Sequence, residues 1–441
     1  MSRDSLLTES PFPRNYASKL LKIVSGRGVY VKDAGGKRYL DFGSGIAVNA
    51  LGYGLDGLAR RLRRQVKKLI HISNLFANEP AVDLARSLLT LSVAGSEKRF
   101  TAVHFGNSGA EGNEAAIKYA RLYAMAKRGP GHHKILSFSN AFHGRTIGAL
   151  SVTPNEKYRK KFEPLMPGCE TAAYNDPDSA RAVIDGSFAA VIVEPVQGEG
   201  GLTVMSEEFA SALNEACARH DVILIADEIQ TGLGRTGELF GSGYVGLDPD
   251  IITLSKPLAA GLPLSATLIP EKVNRHVETG DHGTTFGGGP VTAEAGRYML
   301  ERITAPGFLE RVRRSSAHLD LRLRELAAEL PAVAGLRGAG LLRGLEIHAP
   351  EARPGGRPGG DQAAGDQAAG DHAGGDHAGG GRRTEAGGAA RMGAIIAAAE
   401  ERGVLVLRSG SNILRIAPPL IIKEHEIDRG VEILRSVLSK E

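Results

Sequence analysis

A lysine and an aspartate, each at the end of an apolar run, form the most chemically suggestive pair in this sequence. Lys256 follows Ile251-Ile252-Thr253-Leu254-Ser255, and Asp227 follows Val222-Ile223-Leu224-Ile225-Ala226. Apolar runs of this length bounded by polar residues predict buried parallel strands. Open α/β sheets place their ligands at the carboxyl ends of the strands. A primary amine and a carboxylate delivered to that edge match what pyridoxal phosphate (PLP) chemistry needs. The amine condenses with the cofactor aldehyde, and the carboxylate keeps the pyridine nitrogen protonated.

Other segments add to this pair. Gly106-Asn107-Ser108-Gly109-Ala110 follows another apolar run and opens a helix over 111–127. Small residues there expose backbone N–H groups, and the helix dipole favours an anion such as a phosphate. A plain Ser N-cap reads the same in isolation, so the phosphate reading leans on Asp227 and Lys256. Asn140-Ala141-Phe142-His143-Gly144-Arg145-Thr146 offers an aromatic to stack on a planar ring and a guanidinium to pair with a carboxylate. Glu199 sits on the Gly-rich turn Gln197-Gly198-Glu199-Gly200-Gly201, as a carboxylate near the cofactor or a solvated loop residue. His282-Gly283-Thr284-Thr285-Phe286-Gly287-Gly288-Gly289-Pro290 presents hydroxyls and N–H groups ahead of a helix, with low specificity. Arg415 interrupts the apolar strand around Leu414 and Ile416, where a buried guanidinium needs a carboxylate partner.

One motif argues for different chemistry. Gly232-Leu233-Gly234-Arg235-Thr236-Gly237 matches the GxGxxG pattern of nicotinamide-dependent oxidoreductases. A real fingerprint opens a helix, whereas Glu238-Leu239-Phe240-Gly241-Ser242-Gly243 follows here. The nicotinamide reading is therefore disfavoured.

The elements that must position these residues alternate in type. Candidate strands lie near 102–105, 134–138, 189–194, 222–226 and 251–255, with candidate helices near 111–127, 207–219 and 292–303. This predicts an α/β fold, a mostly parallel sheet covered on both faces. Residues 28–41 read as a two-stranded hairpin around a Gly-Gly turn. Beyond about 330 the pattern becomes strand, helix, strand, helix on a smaller scale, with a helix beginning near Ala389. The expected division is a large domain over 55–330 and a small domain from 331–441 together with 1–54. Residues 353–383 repeat Gly-Asp-Gln-Ala-Ala and Gly-Asp-His-Ala-Gly with nothing bulky to bury, which predicts a disordered surface loop. His372 and His377 within it could suggest a metal site, but flexible ligands must be ordered on binding, so none is expected.

Composition sets bounds. Lys and Arg total 54 against 50 Asp and Glu, and the excess of +4 is too small to argue for nucleic acid or a membrane surface. Cys169 and Cys217 form no CxxC pair, so neither a disulfide framework nor a zinc site is supported. The opening residues lack the apolar core of a signal peptide and no run is long enough to span a bilayer, so a cytoplasmic enzyme is expected.

With these motifs in place, the chain resembles the class III PLP-dependent aminotransferases from about residue 10 to the C-terminus, the repeat loop excepted. The most specific segments are Ser73-Asn74-Leu75-Phe76-Ala77-Asn78-Glu79-Pro80, then 140–146, 194–201, 227–237 and 282–290. The resemblance implies the aspartate-aminotransferase-type fold (fold type I) and an obligate homodimer with shared active sites. It implies that Lys256 carries the cofactor, Asp227 pairs with the ring nitrogen, Gln230 lies near the ring hydroxyl, and Phe142 stacks on the ring. Ser108, Gly109 and Ala110 would hold the phosphate together with Thr285 of the other subunit. Arg145, Glu199, Thr284 and Arg415 would meet substrate, Arg145 on the carboxylate remote from the amine and Glu199 as a gate paired with Arg415. The reaction implied moves the δ-amino group of N2-acetylornithine to 2-oxoglutarate. Ornithine, 4-aminobutyrate, succinylornithine and succinyl-diaminopimelate are the competing donors. Two departures stand out: Pro257 in a turn that is usually glycine-richer, and Gly289 where Asn is usual.

Overall fold

The computed structural model describes Pro13, residues 21–348 and residues 379–440, with the backbone alone for 379–387. Ile23–Arg27 (β1), Tyr30–Asp33 (β2) and Arg38–Asp41 (β3) form an antiparallel meander. The expected hairpin is thus β2–β3, with β1 added outside it. Seven strands make the main sheet: Phe100–Gly106 (β4), Lys134–Phe138 (β5), Cys169–Ala172 (β6), Phe188–Val193 (β7), Ile223–Asp227 (β10), Ile251–Leu254 (β11) and Ser265–Pro270 (β12). A short ribbon of Val196–Gln197 (β8) and Thr203–Val204 (β9) follows β7. The order across the main sheet is β4-β12-β11-β10-β7-β5-β6. β12 runs antiparallel to both neighbours, while β11, β10, β7, β5 and β6 pair in parallel.

The central strands β7, β10 and β11 are buried on both faces, and their residues show why. Leu224 and Ala226 of β10 enter one apolar cluster with Phe209 and Leu213 of the helix Glu207–His220. Ile223 and Ile225 enter another with Ala115, Ala116 and Ile117 of the helix Gly109–Arg128. Successive side chains on a strand point to opposite faces, so a strand covered on both sides must be apolar throughout. That requirement produces the continuous apolar runs seen in the sequence.

The last part departs from expectation. Val333–Ala339 (β13) and Leu342–Ile347 (β14) form a hairpin, and Val404–Leu405 (β15), Leu407–Ser409 (β16) and Ile413–Ile416 (β17) follow the helix Gly379–Glu401. The second sheet is β13-β14-β17-β16. A hairpin replaces the single expected strand because Gly338 and Gly340 take φ of +87° and +58° and turn the chain back at once. The helix begins at Gly379, ten residues before Ala389. The repeat segment 353–383 and its His372 and His377 lie outside the described residues up to 378. β15 pairs in parallel with β3, joining the two ends of the chain in one sheet.

The helix Glu424–Leu438 closes this region and depends on one glycine. A Cβ at Gly430 would lie 2.1 Å from the ring of Phe42, which is fully buried. Alanine is the better helix former by about 1 kcal/mol. Overpacking a core costs about 1–3 kcal/mol. Gly430→Ala is therefore expected to destabilise the protein by up to about 2 kcal/mol in denaturant unfolding; a stabilised variant would show that the ring yields freely.

Candidate active site

The carboxyl ends of β5, β7, β10 and β11 and the start of the helix Gly109–Arg128 converge on a cavity of about 270 Å³. Asp227 and Lys256 both line it, with Gly109, Ala110, Phe142, Arg145, Glu199 and Gln230. Eight residues singled out in the sequence thus share one space. Ser108 lies beside it, capping the helix by accepting Glu111 N–H at 3.3 Å.

Asp227 is 4 % exposed and is held from three directions. Its Oδ2 accepts Asn113 Nδ2 and His143 Nδ1, each at 2.8 Å, and its Oδ1 accepts Ile229 N–H at 3.1 Å. The carboxylate is acceptor-only, so His143 carries its proton on Nδ1. Asn113 also donates to the carbonyl of His143 at 2.7 Å and accepts Thr253 Oγ1 at 2.8 Å. One fully buried amide therefore ties β10, β11 and the loop after β5 to the helix. A buried carboxylate is costly unless its oxygens are satisfied, and this set satisfies them.

Lys256 opens the 3-10 turn Lys256–Ala259 directly after β11. Burial, reinforced by the nearby Arg415 guanidinium, lowers its amine below the ordinary lysine range, while Glu199, Asp227 and Glu194 oppose the shift. A larger share of free amine results. Glu194, at the end of β7, is also buried, and its oxygens accept Phe142 N–H at 3.0 Å and Gly198 N–H at 3.2 Å. Burial pushes this carboxyl up to about 7, with Asp227 adding to the rise and His143 opposing it.

At the Gly-rich turn after β7, Arg415 Nη1 meets Glu199 Oε1 at 2.5 Å and the Gly198 carbonyl at 3.1 Å. The arginine side chain is 4 % exposed and the glutamate 31 %, so the glutamate is the half of the pair that reaches solvent. The sequence required a carboxylate for Arg415, and Glu199 is that carboxylate. Arg145 is exposed, with its guanidinium 3.8 Å from the Tyr158 ring centroid and 5.3 Å from that of Phe142. Gln230 is buried and its Oε1 has no hydrogen-bond partner among the described residues.

Thr284 and Thr285 lie elsewhere. They line a separate cavity of about 660 Å³ with His71, Ser73 and Asn74. Gly232–Gly237 forms turns and opens no nucleotide-type helix; a five-residue helix, Gly241–Val245, comes later. Arg235 within it is fully buried and donates to the carbonyls of Leu341 and Pro418. The motif is a brace between the two sheets. Among the described residues no His, Cys, Asp or Glu cluster is arranged to hold a metal. Sequence reasoning gave no role to Asn113, His143, Glu194 or Tyr158, which the structure places in or around the site.

A profile of the family Aminotransferase class-III matches residues 12–438. The probable mitochondrial acetylornithine aminotransferase of Dictyostelium discoideum is 39% identical over 421 residues, covering 94% of this chain and 83% of its own. Acetylornithine aminotransferase of Aquifex aeolicus is 38% identical, covering 96% and 98%. A solved ornithine aminotransferase from Toxoplasma gondii, described with partial occupancy of PLP at its active site, superimposes with a TM-score of 0.83 at 28% identity, covering 98% and 92%.

The Asn113 network generates a test that needs no ligand. Asn113→Leu removes a donor from Asp227 and leaves the Thr253 hydroxyl unpaired. A double-mutant cycle with Asp227→Asn is expected to give a coupling of about 1–3 kcal/mol in unfolding free energy. Additive losses would show that the two side chains do not support one another.

Proposed function

The chain belongs to the class III aminotransferases, and from that premise we propose that it transfers the δ-amino group of N2-acetylornithine to 2-oxoglutarate. The products are N-acetylglutamate 5-semialdehyde and glutamate, a step of arginine biosynthesis. The fold is the aspartate-aminotransferase type and the cofactor is pyridoxal 5′-phosphate. The observation that carries the substrate reading is the Glu199–Arg415 pair, whose glutamate lines the same cavity as Lys256 and which would let one site alternate between two substrates.

The residues present fit the cofactor. Gln230 Oε1 is buried and unpartnered, and a Cβ at Gly198 would stand 2.1 Å from it, so only glycine leaves that amide its place. When bound, PLP supplies an aldehyde for the lysine and a ring that withdraws electrons from the substrate carbon. Asp227, fixed by Asn113 and His143, would hold a proton on the ring nitrogen. Gln230 would face the ring hydroxyl and Phe142 the ring itself. Ser108, Gly109 and Ala110 would hold the phosphate at the start of their helix. Lys256 Nζ would carry the proton between substrate and cofactor carbons. Arg145 would take the carboxylate remote from the reacting amine, and Thr284, which lines the separate cavity of this chain, would lie among the substrate contacts of a neighbouring copy.

A homodimer is part of this reading. Leu75 is 89 % exposed, and Phe76 and Phe286 are also open beside the cavity that holds Thr284 and Thr285. A second copy covering these rings would bring Thr285 to its own active site. We take 55–330 as the PLP-binding domain and 1–54 with 331–441 as the small domain, a division that the β3–β15 pairing supports. The proposed location is the cytoplasm, with no nucleic-acid or membrane partner; among the described residues no helix is long and apolar enough to cross a membrane.

Three outcomes test the assignment. Comparing kcat/KM for acetylornithine, ornithine, 4-aminobutyrate, succinylornithine and succinyl-diaminopimelate should rank acetylornithine first; a preferred rival donor reassigns the substrate. Lys256→Ala should lose both the visible absorbance of the cofactor–lysine linkage and transamination, and undiminished turnover would sink the mechanism. In single turnovers, Arg415→Ala should slow the 2-oxoglutarate half-reaction at least about tenfold more than the acetylornithine half. Glu199→Ala should favour the α-amine of glutamate. Equal losses in both halves for both variants would make the pair structural.

A further inference from the structure

Glu194 is a buried carboxylate beside the site that the mechanism above leaves without a task. It is 6 % exposed and lines the cavity. Its two oxygens serve two different loops. One accepts the N–H of Phe142, in the loop that carries Arg145; the other accepts the N–H of Gly198, which precedes the gate residue Glu199. Gly198 matters doubly, because its carbonyl accepts both Arg415 Nη1 and Ser409 Oγ. The turn is further fixed from β16, where Ser409 Oγ accepts Gly201 N–H and Gly410 N–H donates to the Glu199 carbonyl. The gate turn is thus gripped from the small sheet on one side and by Glu194 from the main sheet on the other.

We propose that Glu194 is a positioning residue for the gate: by accepting Phe142 N–H and Gly198 N–H together, it fixes the turn that presents Glu199 to Arg415 and so sets how readily Arg415 is released to a substrate carboxylate. This rests on the gate reading of Glu199 and Arg415. An amide at 194 offers one acceptor and turns a donor toward the second N–H, so one loop is freed. The Glu199–Arg415 pair then loses preorganisation, and a free dicarboxylate competes for Arg415 more easily.

The test reads binding with no turnover. Glutarate, which has neither an amine nor a ketone to react, is titrated calorimetrically into the holoenzyme and its variants. Glu199→Ala should bind it about tenfold more tightly, and Glu194→Gln roughly two- to tenfold more tightly, the range of one lost hydrogen bond. The double variant should bind no more tightly than Glu199→Ala alone, because both changes act on the same opening. Should Glu194→Gln not fold, Glu194→Asp, which keeps the charge but is too short to span both loops, carries the same expectation. Unchanged or weaker binding in the Glu194 variants, or full additivity with Glu199→Ala, overturns the proposal and leaves the gate reading standing. Unchanged binding in Glu199→Ala itself overturns both.

Discussion

The site depends on satisfying one buried carboxylate at the carboxyl edge of the main sheet. Asp227 lies at the end of a strand whose five residues are all buried. Left without partners, a carboxylate buried there would carry a large desolvation cost. The donors that prevent this come from parts of the chain far apart in sequence, Asn113 on a helix and His143 after β5. Thr253 on β11 orients the amide in turn, three residues before Lys256. Satisfying Asp227 therefore places the start of the helix Gly109–Arg128, the loop after β5 and the strand before Lys256 in mutual register. Positioning for catalysis and satisfaction of buried polarity are here the same constraint.

The guanidinium groups solve a matching problem between the two sheets. Arg235 is fully buried, and burial lowers its pKa to about 9. It has no carboxylate partner among the described residues and is met by the carbonyls of Leu341 and Pro418. Arg415 has both kinds of partner, a carbonyl and a carboxylate. The contrast separates a brace from the gate proposed above. Carbonyls hold an arginine without a charge to exchange, whereas a carboxylate can be replaced by that of a substrate. Two buried arginines thus differ in the kind of partner that holds them.

Legibility followed the same physics. β5, β7, β10 and β11 could be read because both faces are apolar and each run ends at a polar residue. β12 could not, since Ser265, Thr267 and Pro270 look like loop residues; Thr267 is buried only because its hydroxyl donates to the Gly112 carbonyl. Lys256, Asp227 and Glu199 were visible from their positions after strands. Asn113 was hidden although a signal existed: it is the polar member of a buried stripe with Ala116, Ile117 and Ala120. Glu194 stood within a quoted motif, but its partner Phe142 N–H is 52 residues away, and no local pattern announces that pairing. Thr284 and Thr285 were legible as hydroxyls, whereas their distance from Lys256 is a property of the folded chain.

The two unusual residues near the site have opposite physical effects. Pro257 is the second residue of the 3-10 turn Lys256–Ala259, a first-turn position where the missing N–H costs little. The strain falls later, at Ala260, which takes φ of +53° where glycine would be easier. That conformation persists because Leu258 and Ala259 are almost fully buried, so packing pins the turn that carries the lysine. Gly289 does the reverse. It is the N-cap of the helix Pro290–Ile303 and provides no side-chain bond, although Thr292 Oγ1 donates to its carbonyl at 3.0 Å. The loop bearing Thr284 and Thr285 runs into this weaker cap and is held instead by Asn74 Nδ2, which donates to the carbonyls of Thr284 and Gly287, and by Asn78 Nδ2, which donates to that of Gly288. Rigidity at the lysine turn thus comes from packing, and at the loop bearing Thr284 and Thr285 from two side-chain amides of the segment that leads into the helix Glu79–Leu89.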